Sequence, residues 1–172
     1  SHRKNIETSK KGQYRIKDNF LAFWFRFVYP MRSFIESDHP EIAMTKLKTG
    51  FIPNHVGYVY EDICRQKMWE LNAQGKLPFL FDRVGRWWGG KDTEIDIVAI
   101  DTTDRSKIIF GECKFHQNVP MQLSELHQLK EKAAVVPWGN ANRDEYFALF
   151  CISGYSEDLQ QLAQEDSHLL LM

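Results

Sequence analysis

The chain has 172 residues, 43% of them hydrophobic and 13% aromatic, enough to bury one good core with a small appendage. Charged residues make up 26% and nearly cancel at a net charge of −1, which excludes a disordered polyelectrolyte and a whole-molecule basic field. The charge is uneven: residues 1–33 carry eight Lys and Arg against two acids, and residues 34–172 carry fourteen against twenty-one. The basic end is therefore a candidate surface for nucleic acid or a partner, or equally an ordinary solvated face.

Residues 9–17 (SKKGQYRIK) suit a turn at Gly12 leading into an edge strand. Asp18 and Asn19 offer capping side chains for an aromatic helix from about Phe20 towards Phe34 or Glu36, which Pro30 must kink or end. Its most apolar stretch, Phe20 to Pro30, is interrupted by Arg26 and is far shorter than the roughly 20 residues a membrane span needs, so a core helix or a domain interface is expected. Glu41 to Lys48 reads as a short helix before Gly50. From about Asn54 to Ala73 apolar residues recur at helical spacing, with Glu61 on the border of the stripe and Gly75 ending the helix.

Pro78 opens a run, PFLFDRVGRWW, that reads as a strand reaching a glycine turn at Gly89 and Gly90. Glu94 to Asp101 and Lys107 to Phe115, joined by the polar loop TTDRS, predict an antiparallel hairpin. A helix introduced by Pro120 and Ser124 runs to about Val135. Glu145 to Ser153 is apolar enough for a strand covered on both faces, 156–165 reads as a helix and His168 to Met172 as a last short strand. This order predicts an α/β fold, a mixed sheet with helices on both faces.

Side chains alternate across a strand, so Glu94 and Asp96 share one face and Glu112 and Lys114 share a face of the next strand. These charges sit at the ends of otherwise apolar strands, where burying carboxylates near one another costs several kcal/mol unless a cation or hydrogen bonds compensate. A divalent metal is one such compensation, since Mg²⁺ takes one or two carboxylates together with waters and phosphate oxygens. An isolated E-x-K triplet is otherwise an ordinary solvated ion pair. Cys113 lies on the opposite strand face and is expected in the core. Of Trp87 and Trp88, one should face inward and one outward, the latter able to stack on a base. Arg83, Arg86 and Lys91 are candidate phosphate contacts or plain surface residues; His116 is a candidate substrate contact, and His55 and His127 are expected at helix ends or the surface.

The strings GRWWGGKDTEIDIVAID and IIFGECKF resemble the E-x-D-x-V and E-x-K strands of the PD-(D/E)xK nuclease superfamily. More narrowly, YRIKDNFLAFWFRFVYP, the G-x-x-Y-E of Gly57 to Glu61, GRWW at Gly85 to Trp88 and ECKF at Glu112 to Phe115 resemble the C-terminal region of archaeal-type AAA+ ATPases, a region catalogued as a domain of unknown function. That resemblance implies a restriction-endonuclease-like mixed β-sheet flanked by helices at 51–172. It also implies a helical connector at 18–50 and a remnant of a winged-helix domain at 1–17, with the ATPase and winged helix preceding on the full-length chain. It further implies Mg²⁺ or Mn²⁺ held by Asp96, Glu112 and Glu61, with Lys114 orienting the attacking water and stabilising charge on the phosphate. Glu94 is a further candidate ligand, and Ile95 stands where the superfamily's name has proline. No segment resembles a Walker loop. The implied function is a metal-dependent nuclease acting on DNA, with a non-catalytic module that binds nucleic acid or regulates the ATPase as the alternative, and a pure protein-interaction domain as a third. Oligomeric state is left open.

Cys64, Cys113 and Cys151 are odd in number and widely spaced, fitting neither a disulfide framework nor a zinc site, so a reducing, cytoplasmic setting is expected. Opening at Ser1 on a polar, basic stretch without a signal-peptide pattern, the chain reads as a fragment of something longer.

Overall fold

The computed structural model describes residues 16–37, 39–51, 55–89, 93–139 and 142–172. The edge strand expected at 9–17, the Gly90 half of the glycine turn and Lys91 therefore lie outside or almost outside the described residues. The chain divides into two compact units within a helix, between Tyr60 and Glu61.

In the first unit, Asp18 caps helix α1 (Asn19–Phe23) by accepting from the Leu21 amide at 2.8 Å, as its side chain allows. The helical path then widens to a π-turn over Trp24–Val28 and tightens to a 3-10 turn over Tyr29–Met31 before α2 (Arg32–Glu36). Pro30, which has no amide hydrogen, sits in that tight turn, so the helix changes its winding rather than stopping. Helix α3 (Pro40–Phe51) is longer than the expected 41–48. Phe27 and Ala43 are buried, and the rings of Phe23 and Phe27 lie 5.8 and 5.9 Å from His55, just ahead of the next helix. Burial, reinforced by the Arg26 charge, holds the His55 imidazole below its usual pKa. Of this aromatic stretch, expected in the core or at a domain interface, Phe27 is buried and Phe23 half-buried, while Phe20, Trp24, Phe25 and Tyr29 are exposed.

Helix α4 (Gly57–Ala73) bridges the division and ends at Gly75, whose φ of +64° glycine adopts without strain. The larger unit is built on a five-stranded sheet in the order β1 (Arg83–Gly89), β2 (Thr93–Ile100), β3 (Lys107–Lys114), β4 (Asp144–Cys151), β5 (Leu169–Leu171). The pairings β1/β2 and β2/β3 are antiparallel, β3/β4 and β4/β5 parallel, so the sheet is mixed as expected. The parallel steps need crossovers, which α5 (Leu123–Ala134) and α6 (Glu157–Glu165) provide. Gln122 and Glu125 form the capping box of α5, the cap lying between the expected Pro120 and Ser124.

One face of the sheet packs Val98, Ile100, Ile108, Phe110, Phe147 and Leu149 against Leu126, Leu129 and Ala133 of α5 and Leu159 of α6. Residues of opposite parity, including Ile97, Ile109, Cys113 and Phe150, are buried as well, and the Cys113 thiol hydrogen-bonds Cys64 of α4. Trp87 packs on the core while Trp88 is exposed, one of each as alternation requires.

Strand β1 starts at Arg83, later than the expected Pro78. The cause is a buried side chain: the Asn72 amide donates to the Phe81 carbonyl at 2.9 Å and accepts from the Phe81 amide at 3.1 Å, taking both main-chain groups that a strand neighbour would use. Among the described residues, no helix is long and apolar enough to cross a membrane.

Candidate functional site

The β1/β2 ladder slips by one residue between Gly85 and Trp87: Gly85 faces Val98, but Trp87 faces Ile95. Asp96 and Ile97 together therefore oppose Arg86, a β-bulge. The extra residue lets both Ile95 and Val98 enter the same core, although they differ in parity. On its other side β2 pairs Ile97 with Gly111, so Asp96 and Glu112 are the next residues of the two strands beyond that last pair, and the Glu112 charge acts on Asp96. Past the end of that ladder the Asp96 carboxylate accepts from the Cys113 amide at 2.9 Å.

Asp96 and Glu112 are thus brought together at the edge of the core. Burial, then the negative charge of Glu112, raise the Asp96 carboxyl above the ordinary aspartate range, against the opposing pull of the Cys113 amide, Arg86 and Lys114. Glu112 is only 6% exposed. Its Oε1 lies 2.8 Å from the Lys114 ammonium and its Oε2 3.1 Å from that of Lys132, on the last turn of α5. Burial works against the Lys114 cation, but its hydrogen bond to Glu112 and the charges of Glu112, Asp96 and Glu125 outweigh it and hold its pKa above the usual lysine value.

Glu61 does not join this pair. Its carboxylate is held by the Arg86 guanidinium, with Arg65 at 3.7 Å, while Arg86 also reaches Glu94 at 2.7 Å. Arg65 pairs with Asp62 and donates to the Asp96 carbonyl at 3.1 Å, tying α4 to the bulge. Among the described residues, no three His, Cys, Asp or Glu side chains form a metal-binding group. Arg86 links Glu94 and Glu61 in a chain of ion pairs, Arg83 is exposed, and His116 is exposed with its carbonyl accepting from the Ser153 hydroxyl at 2.5 Å. Lys132 and Arg65 escaped the sequence reading, because each looks like an ordinary helix-surface cation and only the fold shows what it meets.

Asp96→Asn is expected to stabilise the protein. A carboxyl whose folded pKa is raised costs stability in its ionised form; that cost is full above the folded pKa and vanishes as pH falls below the unfolded value. The amide keeps an acceptor for Cys113 without the charge. Thermal unfolding at neutral pH should show a gain of about 1 kcal/mol, or about 2–4 °C, that fades towards the ordinary aspartate range. A lower melting temperature for Asp96→Asn at neutral pH would refute this account.

Residues 24–133, which include all four candidate residues and Lys132, match a family described as archaeal and bacterial proteins of unknown function. An uncharacterized protein of Methanocaldococcus jannaschii is 35% identical over 142 residues, covering 82% of this chain. The chain spans 31% of that relative's length. No solved structure matches. On a match across most of its length, the chain belongs to this family of archaeal and bacterial proteins of unknown function.

Proposed function

We propose that residues 51–172 form a metal-dependent nuclease domain of the PD-(D/E)xK, restriction-endonuclease-like kind, hydrolysing phosphodiester bonds in DNA. In this reading the domain works in the cytoplasm, attached to ATPase and winged-helix domains of a longer chain. The observation that carries the reading is the meeting of Asp96, on a bulge, with Glu112 and Lys114 on the neighbouring strand.

The donor set fits Mg²⁺ or Mn²⁺. Two neighbouring carboxylates, one of them disfavoured as an anion, gain from a divalent cation, and Mg²⁺ takes its remaining ligands from water and phosphate. Asp96 and Glu112 would hold the ion, which when bound supplies charge neutralisation on the phosphate and a more acidic water. Lys114 stays protonated through neutral pH, so it acts as a donor and not a base: it orients the attacking water and stabilises charge developing on the phosphate. Glu61 contributes only if it leaves Arg86.

That engagement of Glu61 favours a second reading, a non-catalytic module that binds nucleic acid or regulates its ATPase. Calorimetric titration of Mg²⁺ and Mn²⁺ into wild type and Asp96→Ala separates the two without a guess at the substrate. The nuclease reading expects binding by wild type and its loss in the variant. Absence of binding by both proteins hands the case to the module.

A further inference from the structure

Each oxygen of Glu112 is claimed by its own ammonium, and the two cations differ in origin. Lys114 is two residues along the same strand, where any E-x-K triplet would put it. Lys132 arrives from α5, a helix fixed in place by Leu126, Leu129 and Ala133 in the core. One carboxylate needs one cation for neutrality. Two lysines bring a charge of +2 to Glu112, the charge that a divalent ion would bring to the same carboxylate. Each lysine side chain keeps about a third of its surface exposed, 30% for Lys114 and 31% for Lys132, so neither is locked by packing.

We infer that Lys132 is a positioning residue of the site, holding Glu112 through Oε2 until a divalent cation displaces it, after which its ammonium faces the phosphate of the bound nucleic acid. This rests on the nuclease reading and extends it to a residue outside the E-x-K triplet. Two consequences follow from charge. A cation beside the ion's seat competes with the ion for Glu112 and repels it, so its removal tightens metal binding. The same cation favours the phosphate, so its removal slows cleavage. A helix-end lysine that merely complements the α5 dipole would not slow cleavage when removed.

The test uses Mn²⁺ as the probe, titrated calorimetrically into the protein and its Lys132→Met and Lys132→Arg variants, each checked for folding by circular dichroism. Lys132→Met should bind Mn²⁺ about tenfold more tightly than wild type, and Lys132→Arg within about twofold of it. Duplex DNA cleavage in saturating Mn²⁺ should fall at least about tenfold in Lys132→Met and recover in part in Lys132→Arg. Tighter metal binding with slower cleavage is a combination that general loss of structure does not produce. Unchanged or weaker Mn²⁺ binding by folded Lys132→Met overturns the inference while leaving the nuclease reading intact. Failure of wild type to bind Mn²⁺ overturns both.

Discussion

Lys114→Ala is expected, on the nuclease reading proposed above, to lower DNA cleavage by about two to four orders of magnitude while Mg²⁺ or Mn²⁺ binding persists, and Asp96→Ala to lose both. The asymmetry follows from charge. Lys114 is a cation held protonated by Glu112 and Asp96, so it cannot ligate a metal, and removing it leaves the carboxylates in place. Asp96 is one of the two carboxylates that the strands bring together. Cleavage of single- and double-stranded DNA in each metal, with calorimetry and circular dichroism on the same preparations, checks both halves. A folded Lys114→Ala protein that cleaves as fast as wild type would deny the lysine any catalytic role.

Arg143→Met is expected to cost about 3 kcal/mol of stability, a fall of roughly 10 °C in melting temperature. Just ahead of β4, this guanidinium donates to three carbonyls that follow the end of α5 or belong to it: Ala133 at 2.9 Å, Val136 at 2.6 Å and Trp138 at 2.5 Å. It also pairs with Glu145 at 2.7 Å, and its side chain is only 9% exposed. Ala133, Val136 and Trp138 are themselves buried, so the abandoned acceptors have poor access to water. Arg143→Lys would not restore the arrangement, since an ammonium lacks the fork that reaches several acceptors at once. Thermal unfolding followed by circular dichroism decides the matter, and a fall below about 1 kcal/mol would show that water satisfies those carbonyls.

Much of the sheet was legible because its signals are local. The Ile- and Val-rich runs around TTDRS gave a hairpin whose observed strands, Thr93–Ile100 and Lys107–Lys114, differ from the expected ones by no more than a residue at each end. The apolar run after Glu145 became a strand buried on both faces, and the short strand at Leu169–Leu171 followed its helix as expected. Alternation likewise put Glu112 and Lys114 on one face, where the ammonium lies 2.8 Å from the carboxylate. What escaped depends on partners distant in the chain. Asn72 removes Phe81 from the strand through two hydrogen bonds that no periodicity encodes. Glu61 reads as a ligand on its helix, yet Arg86, 25 residues away, takes it in this structure. The exposed Phe20, Trp24, Phe25 and Tyr29 read in sequence as core or domain interface, because hydropathy reports what a side chain prefers, not what stands beside it.

The bulge at Asp96 and Ile97 makes the site a matter of counting. In a regular strand, facing is fixed by whether a residue's number is odd or even, and the core face of β2 at Val98 and Ile100 would leave Ile95 on the wrong side. The inserted residue resets the count, so that Ile95 stays inside together with Val98. A chain with one residue fewer at this point could keep Ile95 or Val98 in the core, and not both.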